Sequence, residues 1–161
     1  MVDQHGNYQP ISLRKIDHRF AAGKSYTISN RVVNRKSQLA VLTTDVPFTE
    51  SEFTQPICLP DMSFNIKPGI RCETTQWDTN QSVMVHSTLE LKKCNGQLCA
   101  SRRNLKVENI GAPLVCRISG ASDNYFVLVG VASGRDGLNQ MYSTITENLD
   151  WLETAGKSHT H

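Results

Sequence analysis

Long apolar runs are missing from this 161-residue chain. None approaches the roughly 18 residues that a bilayer-crossing helix needs, so no membrane span is expected. A dominant charge of one sign is missing as well. With a net charge of +2 and a pI near 8.3, the field is too weak to recruit nucleic acid or an acidic membrane surface. The opening residues, Met1 to Asn7, carry neither the basic nor the apolar region of a signal peptide, so none is expected within this chain. Missing too is any His/Asp/Ser or Cys/His set whose spacing would propose a relocated nucleophile. No metal and no cofactor is expected.

What remains is a chain patterned for strands and turns. Its 39% hydrophobic content is adequate for a core, and ten Gly and six Pro scattered along it suit frequent turns. Ile11 to Ile16 alternates apolar and polar residues, and Ser25 to Ile28 and Gln38 to Leu42 read as further strands. From Thr44 to Pro60 several prolines forbid helix and central strand alike. Val83, Val85, Ser87, Leu89 and Leu91 share one face of a strand, while Met84, His86, Thr88 and Glu90 take the other, making His86 a surface residue. Asn95-Gly96 between Cys94 and Cys99 is a tight-turn signal. Zinc held by these two cysteines is the rival reading there, without two further well-spaced ligands. Near the end, Thr144-Ile145-Thr146-Glu147 has the form of a capping box. Ile145, Leu149 and Leu152 recur at helical spacing, and Gly156 is a stop signal.

The most informative stretch is Glu108-Asn109-Ile110-Gly111-Ala112-Pro113-Leu114-Val115-Cys116, followed by the apolar strand Phe126 to Gly134. It reads as a tight turn entering a short strand, a polar hairpin loop and a second strand rich in β-branched residues. These segments resemble the trypsin-like (chymotrypsin-fold) serine proteases. There a Gly-Asp-Ser-Gly-Gly-Pro-Leu-Val-Cys run carries the nucleophile and a strand ending in Ser-Trp-Gly follows. The resemblance extends over about residues 38 to 155. It takes in Gln55 to Pro60, Cys72 with Trp77, Met141 to Ile145 and Trp151, and leaves the first third largely unmatched.

The resemblance implies an all-β, chymotrypsin-like double β-barrel with a C-terminal α-helix, the second barrel complete and the first partial. At 161 residues the chain is short beside the roughly 200 to 250 common for barrel domains. The expected division is a partial or reorganised first barrel over 1–46, an inter-barrel connector over 47–65, a second barrel with helix over 66–156 and a tail over 157–161. The resemblance pairs Cys72 with Cys116 and Cys94 with Cys99. Cys58 is left unpaired, matched to the cysteine that in many relatives bridges to an upstream segment. An odd cysteine of this kind implies an oxidising, extracellular setting and a protein partner or upstream chain segment.

The same alignment of motifs implies lost chemistry. Ile110 stands at the nucleophile position, and a hydrocarbon side chain has no lone pair to attack a carbonyl. Gln38 stands at the acid position, where a neutral amide cannot stabilise an imidazolium, and no histidine matches the base. Glu108 occupies the oxyanion glycine position and Asn109 that of the aspartate that pairs with a new amino terminus. Gly111 and Ser133 are retained. Arg31 to Asn34 is similar to an activation cleavage site, yet a strand follows at once, so it is read as no such site. The basic cluster Ser101 to Lys106 and the tail histidines, His159 and His161, are read as solvated. The expectation is a serine protease homologue that is not an enzyme. The alternative is a truncated fragment of an active trypsin-like endopeptidase.

Overall fold

The computed structural model describes residues 26–51, 54–67, 70–78, 83–101, 110–119 and 124–157. These form two compact units. In the first, with described residues 26–33, 40–51, 54 and 55, strands β1 (Ile28–Asn34) and β2 (Leu39–Thr44) pair into a two-stranded sheet. Strict alternation of partly buried and exposed positions along β1 fits a strand with one face covered. Ser29 Oγ donates to Thr43 O at 3.1 Å, Asp45 N to Thr27 O at 3.0 Å, and the rings of Tyr26 and Phe48 lie 4.6 Å apart. Arg31 to Asn34, similar to a cleavage site in sequence, thus lies within a strand.

The second unit takes in 34–39 and everything from Pro56 onward. Six antiparallel strands close into a barrel in the order β3-β4-β5-β8-β7-β6. They are β3 (Arg71–Asp78), β4 (Val83–Cys94), β5 (Gln97–Ser101), β6 (Pro113–Ser119), β7 (Asn124–Asp136) and β8 (Asn139–Thr144). Closure comes from β3 against β6, with Cys72 opposite Cys116. Inside lie Leu89, Leu91, Leu98, Leu114, Val127 and Val129, all buried. The alternation expected along β4 is realised: Ser87, Leu89 and Leu91 are buried, and Met84, His86, Thr88 and Glu90 are exposed. His86 Nε2 lies 3.0 Å from Glu73 Oε2 on the outer face, an exposed pair of small energetic weight.

The β4–β5 turn is the Asn-Gly hairpin that the sequence signals. Asn95 and Gly96 have φ of 50° and 84°, the doubly left-handed turn that matches strand twist. Disulfides join Cys94 to Cys99 and Cys72 to Cys116. The connector is tied to β7, since Leu128 N donates to Cys58 O at 3.0 Å and Cys58 bridges Val127 in parallel. This leaves the Cys58 thiol free and exposed.

The fold is therefore mostly β with one C-terminal helix, α1 (Leu149–Lys157), as the resemblance implies. Two local expectations are corrected. Thr144 does not cap the helix, because it ends β8 opposite Gly130, and a 3₁₀ turn over Thr146–Asn148 intervenes with Ile145 at its N-cap and no side-chain capping bond. Asn148 works there instead, donating from Nδ2 to Thr144 O at 2.7 Å. Nor does Gly156 stop α1, which runs through it to Lys157, aided by the Lys157–Glu153 ion pair one turn apart. Among the described residues no helix is long and apolar enough to cross a membrane.

Candidate functional site

Ile110 and Gly111 form the turn that feeds β6. Gly111 has a φ of +89°, a conformation that glycine adopts without cost and a side chain opposes. Its N–H donates to Ala132 O at 2.7 Å, and Ala132 N returns a bond to Ala112 O at 2.9 Å. On the opposite flank Thr74 Oγ1 donates to Pro113 O at 2.7 Å. Backbone and side chain together thus clamp residues 111–113 between β7 and β3. The turn preceding this clamp carries Ile110, at 79% the most exposed large apolar side chain among the described residues.

Ser133 follows Ala132 on β7, so the clamp sets Gly111, in the turn before β6, beside the stretch of β7 that carries Ser133. A bulge between Ala132 and Gly134 shifts the register against β8 there. Gly134 O accepts from Gln140 Nε2, a buried side chain reaching back across the hairpin.

Gln38 departs from its expected place. It is not the first residue of a strand but the last of the turn 35–38, exposed and left-handed at φ 56°, with β2 starting at Leu39. The turn chemistry explains the shift. Asn34 Oδ1 accepts from Lys36 N at 3.1 Å and from Ser37 N at 3.3 Å, an Asx arrangement that closes the turn before the ladder can extend. Ser143 Oγ donates to Ser37 O and Asn34 Nδ2 to Asn148 Oδ1, fixing the turn on the barrel.

One cleft of about 880 Å³ gathers Gln38 and Ser133. Ile110 and Gly111 do not line it. Tyr142, Thr144, Ser37 and Trp151 do, and nothing in the sequence singled out their grouping, because a turn, a strand and a helix contribute them. Burial pushes the Tyr142 phenol well above its ordinary range, so it stays protonated. A second cleft of about 710 Å³ lies under the connector, between Phe64 and Ile66 on one side and Leu91 and Leu98 on the other.

Of the remaining sequence-derived positions, Glu108, Asn109, the basic cluster 102–106, the strand expected over Ile11 to Ile16, and His159 and His161 lie outside the described residues. Among the described residues no three His, Cys, Asp or Glu side chains converge as a metal site would require. Cys94 and Cys99 are joined to each other, which removes the thiolates that zinc would need.

No protein-family model matches the chain. Similar curated proteins are the hepatocyte growth factor activator serine protease of Mus musculus, 28% identical over 63% of this chain and 20% of the relative. The protein of the same name from Homo sapiens is 27% identical over 65% of this chain and 20% of the relative. Transmembrane protease serine 7 of Homo sapiens is 24% identical over 66% and 16%. The chain thus spans a fifth or less of the length of these relatives.

Proposed function

We propose, from the premise that this chain's homologues are trypsin-like serine proteases, that it is a non-catalytic member of that class, a protein-binding or regulatory module. One observation carries this reading: isoleucine at the position that the resemblance assigns to the nucleophile, in a turn whose backbone is otherwise held in place by Gly111 and Thr74. A C–H side chain offers neither a lone pair nor an exchangeable proton, and loss of a nucleophile from such a site costs about 10⁶-fold in turnover. Gln38 at the acid position supports the same reading. Its neutral amide would not supply the charge that stabilises an imidazolium.

The partner-facing surface would centre on Cys58. Its thiol is exposed, and Ile57, Leu59, Tyr125 and Phe126 around the Cys58–Val127 bridge are exposed apolar side chains on adjoining segments. A cysteine-bearing upstream segment or partner chain would cover them and oxidise with the thiol. Two disulfides and an odd cysteine fit an extracellular, oxidising compartment. A second reading, a piece of an active trypsin-like endopeptidase, is favoured by the small share of each relative that the chain spans. The two separate on a fluorophosphonate probe applied to the purified chain. The first expects no covalent adduct, and stoichiometric labelling at any serine would overturn it.

A further inference from the structure

Two hairpin tips meet at Asn95. It begins the turn between β4 and β5, and its Nδ2 donates to Asp136 Oδ2 at 3.4 Å, where β7 turns into β8. Asn95 and Gly96 are both exposed, and Asn95 is the only asparagine in the sequence followed by glycine. That dipeptide is a chemical weak point as well as a turn signal. Asparagine is thermolabile, because its side-chain amide carbon lies within reach of the next residue's backbone nitrogen, provided that no side chain crowds the approach. Gly96 has no Cβ, and one added there would meet nothing within 4 Å, so the space around it is open. Among the described residues nothing accepts from the Gly96 N–H.

The chemistry needs only water. Gly96 N bonds to Asn95 Cγ, the Cγ–Nδ2 bond breaks, and Nδ2 leaves as ammonia with the proton given up by the Gly96 amide. Water then opens the five-membered imide at either carbonyl. One opening leaves aspartate, and the other leaves isoaspartate, with the main chain running through Cγ. No oxidant or reductant takes part. The turn itself holds the step back. Gly96 N must swing towards Asn95 Cγ, while Asn95 is kept left-handed at φ 50° in a hairpin closed by the Cys94–Cys99 disulfide, its amide held by Asp136. Either product exchanges an amide donor for a carboxylate facing the carboxylate of Asp136, and like charges at that separation repel. We propose that Asn95 is a deamidation site gated by the Cys94–Cys99 hairpin, and that its conversion replaces the bond to Asp136 by a like-charge contact that loosens the two tips. The assignment holds whether or not the chain cleaves peptides.

The full chain, disulfides intact, is aged in mildly alkaline buffer and digested with trypsin, and the amide-to-acid mass gain is followed in every asparagine peptide, Asn95 being carried by 94–102. Asn95 should convert at least about tenfold faster than any other asparagine, with isoaspartate among its products. Cys94→Ala/Cys99→Ala should quicken the conversion by about tenfold, and Asp136→Ala, which leaves the disulfide in place, should quicken it too. Asn95→Asp carries the product's charge. It should lower the melting temperature by about 1–3 °C at low salt, and the fall should vanish at high salt or in an Asp136→Ala background. The proposal is overturned if Asn95 converts no faster than the other asparagines, or if neither the disulfide nor the Asp136 variant changes its rate. It is equally overturned if Asn95→Asp costs the same with and without Asp136.

Discussion

Cys72 and Cys116 face each other across β3 and β6 with their Cα atoms 4.2 Å apart, and this pair lies on the seam where the barrel closes. The cross-link spans 44 residues of sequence, against 5 for Cys94 and Cys99. On a chain-entropy account the two contribute about 4 and about 2 kcal/mol. Urea unfolding of Cys72→Ala/Cys116→Ala should therefore show roughly twice the loss of Cys94→Ala/Cys99→Ala. Equal losses would mean that the seam is held by packing around Leu114 and Leu89 rather than by the covalent link.

Gly111 and Gly134 make a matched pair for the backbone at the turn. A Cβ at either position meets no atom within 4 Å, so neither substitution creates a clash. Only Gly111 has a positive φ, +89°. Gly111→Ala should destabilise the barrel by about 1–2 kcal/mol, and Gly134→Ala in β7 should be neutral or slightly stabilising. Thermal melts of the two variants decide it, and a destabilised Gly134→Ala beside an unaffected Gly111→Ala would refute the account.

Restoring a hydroxyl should not restore hydrolysis. Ile110→Ser, alone or with Gln38→Asp, still lacks a base matched to the site, so its turnover of a thioester peptide should stay within about tenfold of the parent. Covalent capture of the Ile110→Ser variant by a fluorophosphonate at a rate typical of active proteases would show that a base is present after all.

Alkaline pH reads out Tyr142. Its folded-state pKa lies above the unfolded value of 10.0 because burial opposes the phenolate. A raised folded pKa stabilises fully below the unfolded value and is lost as pH rises from there towards the folded pKa. The melting temperature should thus hold steady with respect to this group up to about pH 10 and fall above it. Tyr142→Phe should flatten that fall. An alkaline limb unchanged in the variant would assign the loss to other groups.

Much of this architecture is legible in the sequence, for reasons that are local. The two-residue period of β4 and the Asn95-Gly96 turn need only neighbouring residues, and both are realised. The cysteine pairs follow from resemblance, since no local pattern tells Cys72 to seek Cys116 across the barrel. Misread positions are those where a short-range signal competes with a long-range one. Thr144 has a cap-forming neighbour in Glu147, but its pairing with Gly130 keeps it in β8. Gln38 looks like the start of a strand, yet the Asn34 side chain closes a turn around it. The cleft walled by Ser37, Tyr142, Thr144 and Trp151 was illegible, because its members are assembled only by tertiary contacts.

A ring of six strands has no outermost member. Withdrawing any one of them severs two hydrogen-bonded ladders at once and opens two bare edges on the five strands that remain. The amides of Leu89, Leu98 and Val127, on three separate strands, should consequently exchange with deuterium on one common slow timescale, the barrel opening entire or not at all.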